Sequence, residues 1–127
     1  MVITGTHAEK PLIARFDTSA EQLKGRYSIQ VGVAIPLNDP TPDGFPTPEE
    51  DEQLGKIETT LMRKADEHSV LTGVITTAGM REFVLYTNSS VWLEAFHEAM
   101  KAAVTTHQVH VIGKNDPNWA VYRSFVA

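Results

Sequence analysis

Histidine is the side chain of this 127-residue sequence best suited to acid–base or metal chemistry, and the chain has five of them. His107 and His110 stand three positions apart in a segment with the pattern of a strand, where such residues point to opposite faces and cannot share one metal ion. His97 precedes Glu98, but no second histidine follows at helical spacing. Because cysteine is absent, thiolate metal sites, disulfides and a cysteine nucleophile are excluded. We therefore expect neither a metal nor a cofactor.

A second group of polar side chains depends on how the strands align. If Phe83 and Leu85 face a helix layer, the residues that alternate with them lie on the opposite, open face of the sheet. The candidate catalytic residues on that face are Gln30, Glu82, Tyr86 and His110. A Glu and a His within reach of each other are the minimum requirement for general acid–base catalysis. A solvated face or a dimer-forming face explains the same residues.

The open face and the C-terminal residues also supply candidates for a protein interface. These candidates are Val84, Tyr86, Trp119, Tyr122 and Arg123. Exposed Trp, Tyr and Arg side chains are enriched at interface hot spots. The alternative is a short closing helix whose aromatic side chains seal the edge of the core.

The first half of the chain predicts a strand, a loop and a long helix. Residues 27–35 alternate apolar with small or polar side chains, as in a half-covered antiparallel sheet. Residues 36–48 contain five prolines and a glycine, so an irregular loop, ordered or mobile, must lie there. Thr47 and Pro48 predict the start of a helix of about five turns, with Glu50 completing a capping box.

The second half predicts a hairpin, a helix and a last strand. Residues 70–77 and 80–87 are rich in β-branched and aromatic residues, and Ala78-Gly79 suits a tight turn with positive φ. A second helix is predicted from about residues 88–90, with an apolar stripe formed by Leu93, Phe96, Met100 and Val104. Residues 107–112 predict the last strand, and Asp116-Pro117 the start of the closing helix.

This order of elements predicts one α+β domain over residues 1–127. The arrangement is that of a ferredoxin-like βαββαβ antiparallel sheet with both helices on one face. An extra N-terminal strand at residues 11–17 and the short C-terminal helix are additions to that plan. Residues 1–10 are expected to be a loose lead-in.

Composition narrows the classes of partner. The net charge is −5 and the Lys and Arg residues are scattered, so the chain should repel phosphate backbones, and we expect no nucleic-acid partner. No stretch approaches the roughly 18 to 20 apolar residues of a membrane span, and the N-terminus lacks the pattern of a signal peptide. We therefore expect a soluble, cytoplasmic protein without a membrane partner.

Several blocks of the sequence resemble the bacterial family DUF695, a domain of unknown function. The resemblance rests on EKPLIARFD, YSIQVGVAIPLNDPTPDGFPTPEED, GVITTAGMREFVLYT and DPNWAVYRSF, which together cover most of the chain. It implies kinship, but it implies no reaction, substrate or cofactor.

Two functions are consistent with these observations. The first is a small binding or regulatory module that contacts another protein or a second copy of itself through the open sheet face. The alternative is a small enzyme in which Glu82 and His110 act as an acid–base pair on that face, with the proline-rich loop at residues 36–48 as a lid.

Overall fold

The computed structural model describes residues 1–126 and contains one antiparallel sheet with helices. The strands are β1 (Val2–His7), β2 (Lys10–Phe16), β3 (Ile29–Pro36), β4 (Ser69–Thr77), β5 (Met80–Thr87) and β6 (His110–Asn115). The α-helices are α1 (Pro48–Ala65), α2 (Leu93–Ala103) and α3 (Ala120–Arg123), with short 3-10 helices at Thr18–Leu23 and Asp66–His68. The six strands lie in the order β1-β2-β4-β5-β3-β6. The predicted α+β class is thereby confirmed.

The N-terminal part of the sheet differs from the expectation. Residues 1–10 are not a loose lead-in, because β1 pairs with β2, and β2 in turn pairs with β4. The turn between β1 and β2 is formed by Ala8 and Glu9, which have φ angles of 50° and 67°. Tight hairpin turns of this kind normally contain Asn or Gly, so Ala8-Glu9 is not recognisable as a turn from its residue types. The sheet therefore has six strands in an order that differs from the predicted plan.

Helix α1 begins as predicted, and its 18 residues make the expected five turns. The Thr47 hydroxyl oxygen accepts a hydrogen bond from the Glu50 amide at 3.2 Å, and Pro48 occupies the first helical position. Its apolar stripe is buried under the sheet with side chains from α2, and the most buried members are Leu54 and Leu61. Helix α2 begins at Leu93, a few residues later than predicted. Both helices pack on one face of the sheet, where they cover the inward residues of β3 and β5, such as Phe83 and Leu85.

The other face of the sheet carries a second core and is not open as predicted. Its buried residues are Leu12, Ala14, Phe16, Ala20, Val84, Tyr86, Trp119, Tyr122 and Val126. The C-terminal segment, defined as residues 116–126, supplies the cover. Alternation along β5 is as predicted, but the outward residues Val84 and Tyr86 are fully buried beneath this segment.

The proline-rich loop at residues 36–48 is ordered and packs against the turn of the β4–β5 hairpin. Gly79 donates its amide to the Gly44 carbonyl oxygen at 3.0 Å, and Leu37 donates its amide to the Gly79 carbonyl oxygen at 2.8 Å. Gly44 has a φ of 86°, and a Cβ there would lie 2.9 Å from the Gly79 nitrogen. Only glycine fits this close approach.

The substitution Gly73→Ala should destabilise the fold. A Cβ at Gly73 would lie 2.2 Å from Cε2 of Phe16, a buried ring that stacks on Phe125. We expect a loss of about 1–3 kcal/mol in the free energy of unfolding, measured by urea denaturation. Gly55→Ala is the control, because a Cβ at this position in α1 meets nothing within 4 Å and should stabilise the helix by about 0.5–1 kcal/mol. Equal stability of the two variants would contradict this packing.

Candidate functional site

The polar residues predicted to share the outward sheet face do so, but they do not all meet. Glu82 and His110 are both directly opposite Ala34, from the two sides of β3. Their backbones are therefore two strand spacings apart, about 10 Å. His110 is exposed on the edge strand, and β3 separates it from Glu82.

Glu82 and Gln30 do come together, above Gly32. A Cβ at Gly32 would lie 3.2 Å from Glu82 Oε2 and 3.6 Å from Gln30 Nε2, so the absence of a side chain leaves room for both. Burial raises the pKa of the Glu82 carboxyl, and the positive charge of Lys114 offsets only part of this effect. Within residues 1–126, no hydrogen bond from the protein reaches the Glu82 carboxylate.

Glu82 lines a pocket of about 290 Å³ on this face. The strands β1, β2, β4 and β5 form its floor, and the C-terminal segment forms its roof. Its apolar residues are Leu12, Ile75, Met80, Val121 and Phe125, and its polar residues are His7, Thr77 and Glu82. We call this cavity the Glu82 pocket. It offers an apolar compartment with the half-buried Glu82 side chain at its wall.

Tyr86 has a structural environment. Its hydroxyl donates to Asp116 Oδ2 at 2.7 Å and accepts the Tyr122 amide at 3.2 Å, while its ring stacks on Trp119 at 4.1 Å. Burial raises the pKa of the Tyr86 hydroxyl, and the hydrogen bond to Asp116 raises it further. A phenol held in this way is a poor proton donor at neutral pH.

The predicted interface residues are mostly inside the chain. Val84, Tyr86, Trp119 and Tyr122 are each at most 1% exposed. Trp119 donates its ring N–H to the Tyr27 carbonyl oxygen at 2.6 Å, and Tyr122 donates its hydroxyl to the Asp17 carbonyl oxygen at 2.8 Å. These aromatics seal the second core, which is the alternative that the sequence left open. Arg123 is exposed.

A model of the family DUF695, described as a family of unknown function, matches residues 2–127. The chain belongs to the DUF695 family. Comparisons with curated proteins and with solved structures give no match. Membership of this family shows what the chain is related to, but it assigns no function. The chemistry of the DUF695 domain must be inferred from the geometry above.

One histidine–glutamate pair in the DUF695 domain is in direct contact, and the sequence did not reveal it. His107 Nε2 lies 2.7 Å from Glu50 Oε2, and the Glu50 carboxylate also accepts the amides of Asn38 at 2.6 Å and Asp39 at 3.2 Å. The predicted capping box is thus only half formed, because this carboxylate turns away from the Thr47 amide. Both side chains of the pair are buried, so the pair ties the start of α1 to the loop before β6 and is closed to a substrate.

Burial raises the pKa of Glu50, but the Asn38 amide, His107 and the Asp39 amide outweigh it, so the net pKa is lowered. The sequence signal was limited to the position of Glu50 three residues after a helix cap.

Two further properties concern residues 1–126. No three of their His, Asp and Glu side chains converge on a point where a metal ion could bind. None of the helices in this part of the chain is both long enough and apolar enough to cross a membrane.

The lowered pKa of Glu50 predicts a pH-dependent contribution to stability. The contribution is present above the unfolded-state pKa of about 4.5 and is lost as the pH falls through the lower folded-state pKa. Glu50→Gln should cost about 1–3 kcal/mol in the free energy of unfolding at pH 7, because it weakens charge-assisted hydrogen bonds. In urea denaturation the gap between the two proteins should narrow as the pH falls below about 4.5.

The matched control is Glu52→Gln, which removes the same charge from an exposed position two residues along α1. The free energy of unfolding of this variant should stay within about 0.5 kcal/mol of that of the parent protein, both at pH 7 and below about pH 4.5. A gap for Glu50→Gln that is the same at every pH would contradict an ionised, hydrogen-bonded Glu50.

Proposed function

We propose that this DUF695 domain is a small binding module and that its ligand site is the Glu82 pocket. The observation that carries the proposal is a largely apolar cavity of about 290 Å³ that has the half-buried Glu82 side chain among its few polar lining residues. Small-molecule sites combine an apolar lining with a few polar groups that orient the ligand, and volumes of about 300–1,000 Å³ are usual. The Glu82 pocket has this composition and lies at the small end of that range.

Of the three outward residues of β5, namely Glu82, Val84 and Tyr86, only Glu82 lines the proposed site. Val84 and Tyr86 are fully buried, so a protein partner would contact them only after the C-terminal segment had left the sheet. A protein partner bound at this site would instead insert a small apolar group into the pocket.

An enzyme that uses Glu82 and His110 has weaker support. A base must come within hydrogen-bond reach of the proton it abstracts, and a whole strand separates these two residues. The pocket also contains a histidine, His7, which lies on β1. Its backbone is three strand spacings, about 14 Å, from the backbone of Glu82 on β5. The loop expected to act as a lid packs on the hairpin turn.

We also propose that the four strands β3, β4, β5 and β6, together with α1 and α2, form a ferredoxin-like unit. Two observations support this proposal. The four strands are neighbours in the order β4-β5-β3-β6. Along the chain, α1 lies between β3 and β4, and α2 lies between β5 and β6. In a solved structure, right-handed crossovers at both helices would support it, and a left-handed crossover would contradict it.

The ligand site can be tested with 2-phenylethanol, a neutral probe with an apolar ring. We expect amide shifts in the NMR spectrum around Leu12 and Ile75, with a Kd on the order of 1 mM, because so few atoms are buried. Val121→Trp should fill the pocket from its roof and weaken binding at least about tenfold, a loss of about 1.4 kcal/mol.

Arg123→Trp is the matched control, because Arg123 is exposed on the same short helix and does not line the pocket. It should bind the probe as the parent protein does. Shifts outside the pocket, or equal loss of binding in both variants, would contradict the proposed site.

Self-association is a second candidate, favoured by the edge strand β6. Within residues 1–126, this strand has no neighbour on its outer side, and its Ile112 is 69% exposed. Unpaired edge strands with apolar side chains readily pair with another chain. We propose an antiparallel pairing of two β6 strands about a twofold axis.

Light scattering of the purified protein should then give the mass of a dimer, and Ile112→Lys should give the mass of a monomer. Val91→Lys is the control, because Val91 is 89% exposed but lies outside the sheet. If the parent protein is a monomer at all concentrations, edge pairing is refuted, and the proposed ligand site in the Glu82 pocket is not.

A further inference from the structure

We propose that the Glu82 pocket takes an apolar group that carries a primary amine, with the protonated nitrogen donating to the Glu82 carboxylate. This inference rests on the proposed function of the pocket and adds the chemical class of the ligand. It follows from a comparison of Glu82 with two other carboxylates of the described chain that are held within the fold.

The carboxylates of Glu50 and Asp116 accept hydrogen bonds from donors within the fold. Glu50 accepts from two backbone amides and from His107. Asp116 accepts from the Tyr86 hydroxyl and from the amides of Ala120 and Val121. Buried carboxylates require such partners, because removing a charge from water costs free energy.

Glu82 differs from both, although it too is partly removed from water. No donor from residues 1–126 reaches its carboxylate, and its Oε2 lies 3.2 Å from the position that a Cβ at Gly32 would take. Lys114 on the edge strand is exposed and forms no ion pair with Glu82 within 4.0 Å. The half-buried carboxylate is therefore free to accept a donor from solvent or from a molecule in the pocket.

The walls of the pocket select the kind of donor. Leu12, Ile75, Val121 and Phe125 surround the space next to Glu82 with hydrocarbon, which favours an apolar body on the ligand. A cation compensates a desolvated carboxylate better than a neutral donor does, because charge-assisted hydrogen bonds are the stronger ones. An anion would meet like charge there. The geometry therefore favours an amine and disfavours a carboxylic acid of the same shape.

Three probes with one apolar skeleton separate the possibilities: 2-phenylethylamine, 2-phenylethanol and 3-phenylpropionate at pH 7. We expect the amine to bind about tenfold more tightly than the alcohol in NMR titrations, and the carboxylate to bind more weakly than either. Glu82→Gln should reduce the affinity for the amine to that for the alcohol, and it should leave the affinity for the alcohol unchanged.

Glu94→Gln is the matched control, because it removes one negative charge from an exposed position on α2, away from the pocket. It should leave the order of the three affinities unchanged. An NMR spectrum of Glu82→Gln with native dispersion shows that any loss of amine binding does not come from unfolding.

The failures of the two proposals are distinguishable. If the three probes bind equally, or if the carboxylate binds best, the amine class is refuted while the pocket remains a ligand site. The amine class is also refuted if Glu94→Gln weakens amine binding as much as Glu82→Gln does, since the effect is then one of net charge. If none of the probes shifts the residues of the pocket, both proposals are overturned.

Discussion

The C-terminal segment docks on the outward sheet face and buries it, as α1 and α2 bury the other face. Asp116 accepts the Tyr86 hydroxyl at 2.7 Å and the Ala120 amide at 2.8 Å, while Trp119 stacks on Tyr86. Helix α3 has four residues, too few to be stable as an isolated helix, so these contacts must hold it. The segment gives the sheet its second core, and it also forms the roof of the Glu82 pocket.

Local signals in the sequence predicted the elements well, and long-range pairings explain what they missed. The cap at Thr47 correctly predicted the start of helix α1. The alternation along β5 correctly predicted which of its residues share a face of the sheet. The strand β1 was missed because its turn, at Ala8 and Glu9, lacks the usual glycine or asparagine. The cover over Tyr86 was missed because apolar outward residues fit a dimer-forming face as well as they fit a second core.

The candidate site was predictable to a similar degree. Alternation and strand order are enough to bring Gln30 and Glu82 to one face. The separation of Glu82 from His110 depends on β3 lying between them, and this order is set by tertiary packing that a single sequence does not encode in any short motif. The Glu50–His107 contact joins residues 57 positions apart and has no motif either.

Glu82 differs from the other two carboxylates, Glu50 and Asp116, in lacking donors from residues 1–126, and this contrast gives the site its functional interest. Burial acts in the same direction on Glu50, Asp116 and Glu82, because it raises the pKa of each carboxyl. Donors from the fold reverse that effect at Glu50 and Asp116, whose net pKa values are lowered.

At Glu82 burial raises the pKa, and the positive charge of Lys114 offsets only part of this effect, so the net pKa is raised. A half-buried carboxyl whose pKa is raised and whose side chain lines a pocket is a candidate for a functional role, whereas the hydrogen bonds of Glu50 and Asp116 account for those two residues within the fold.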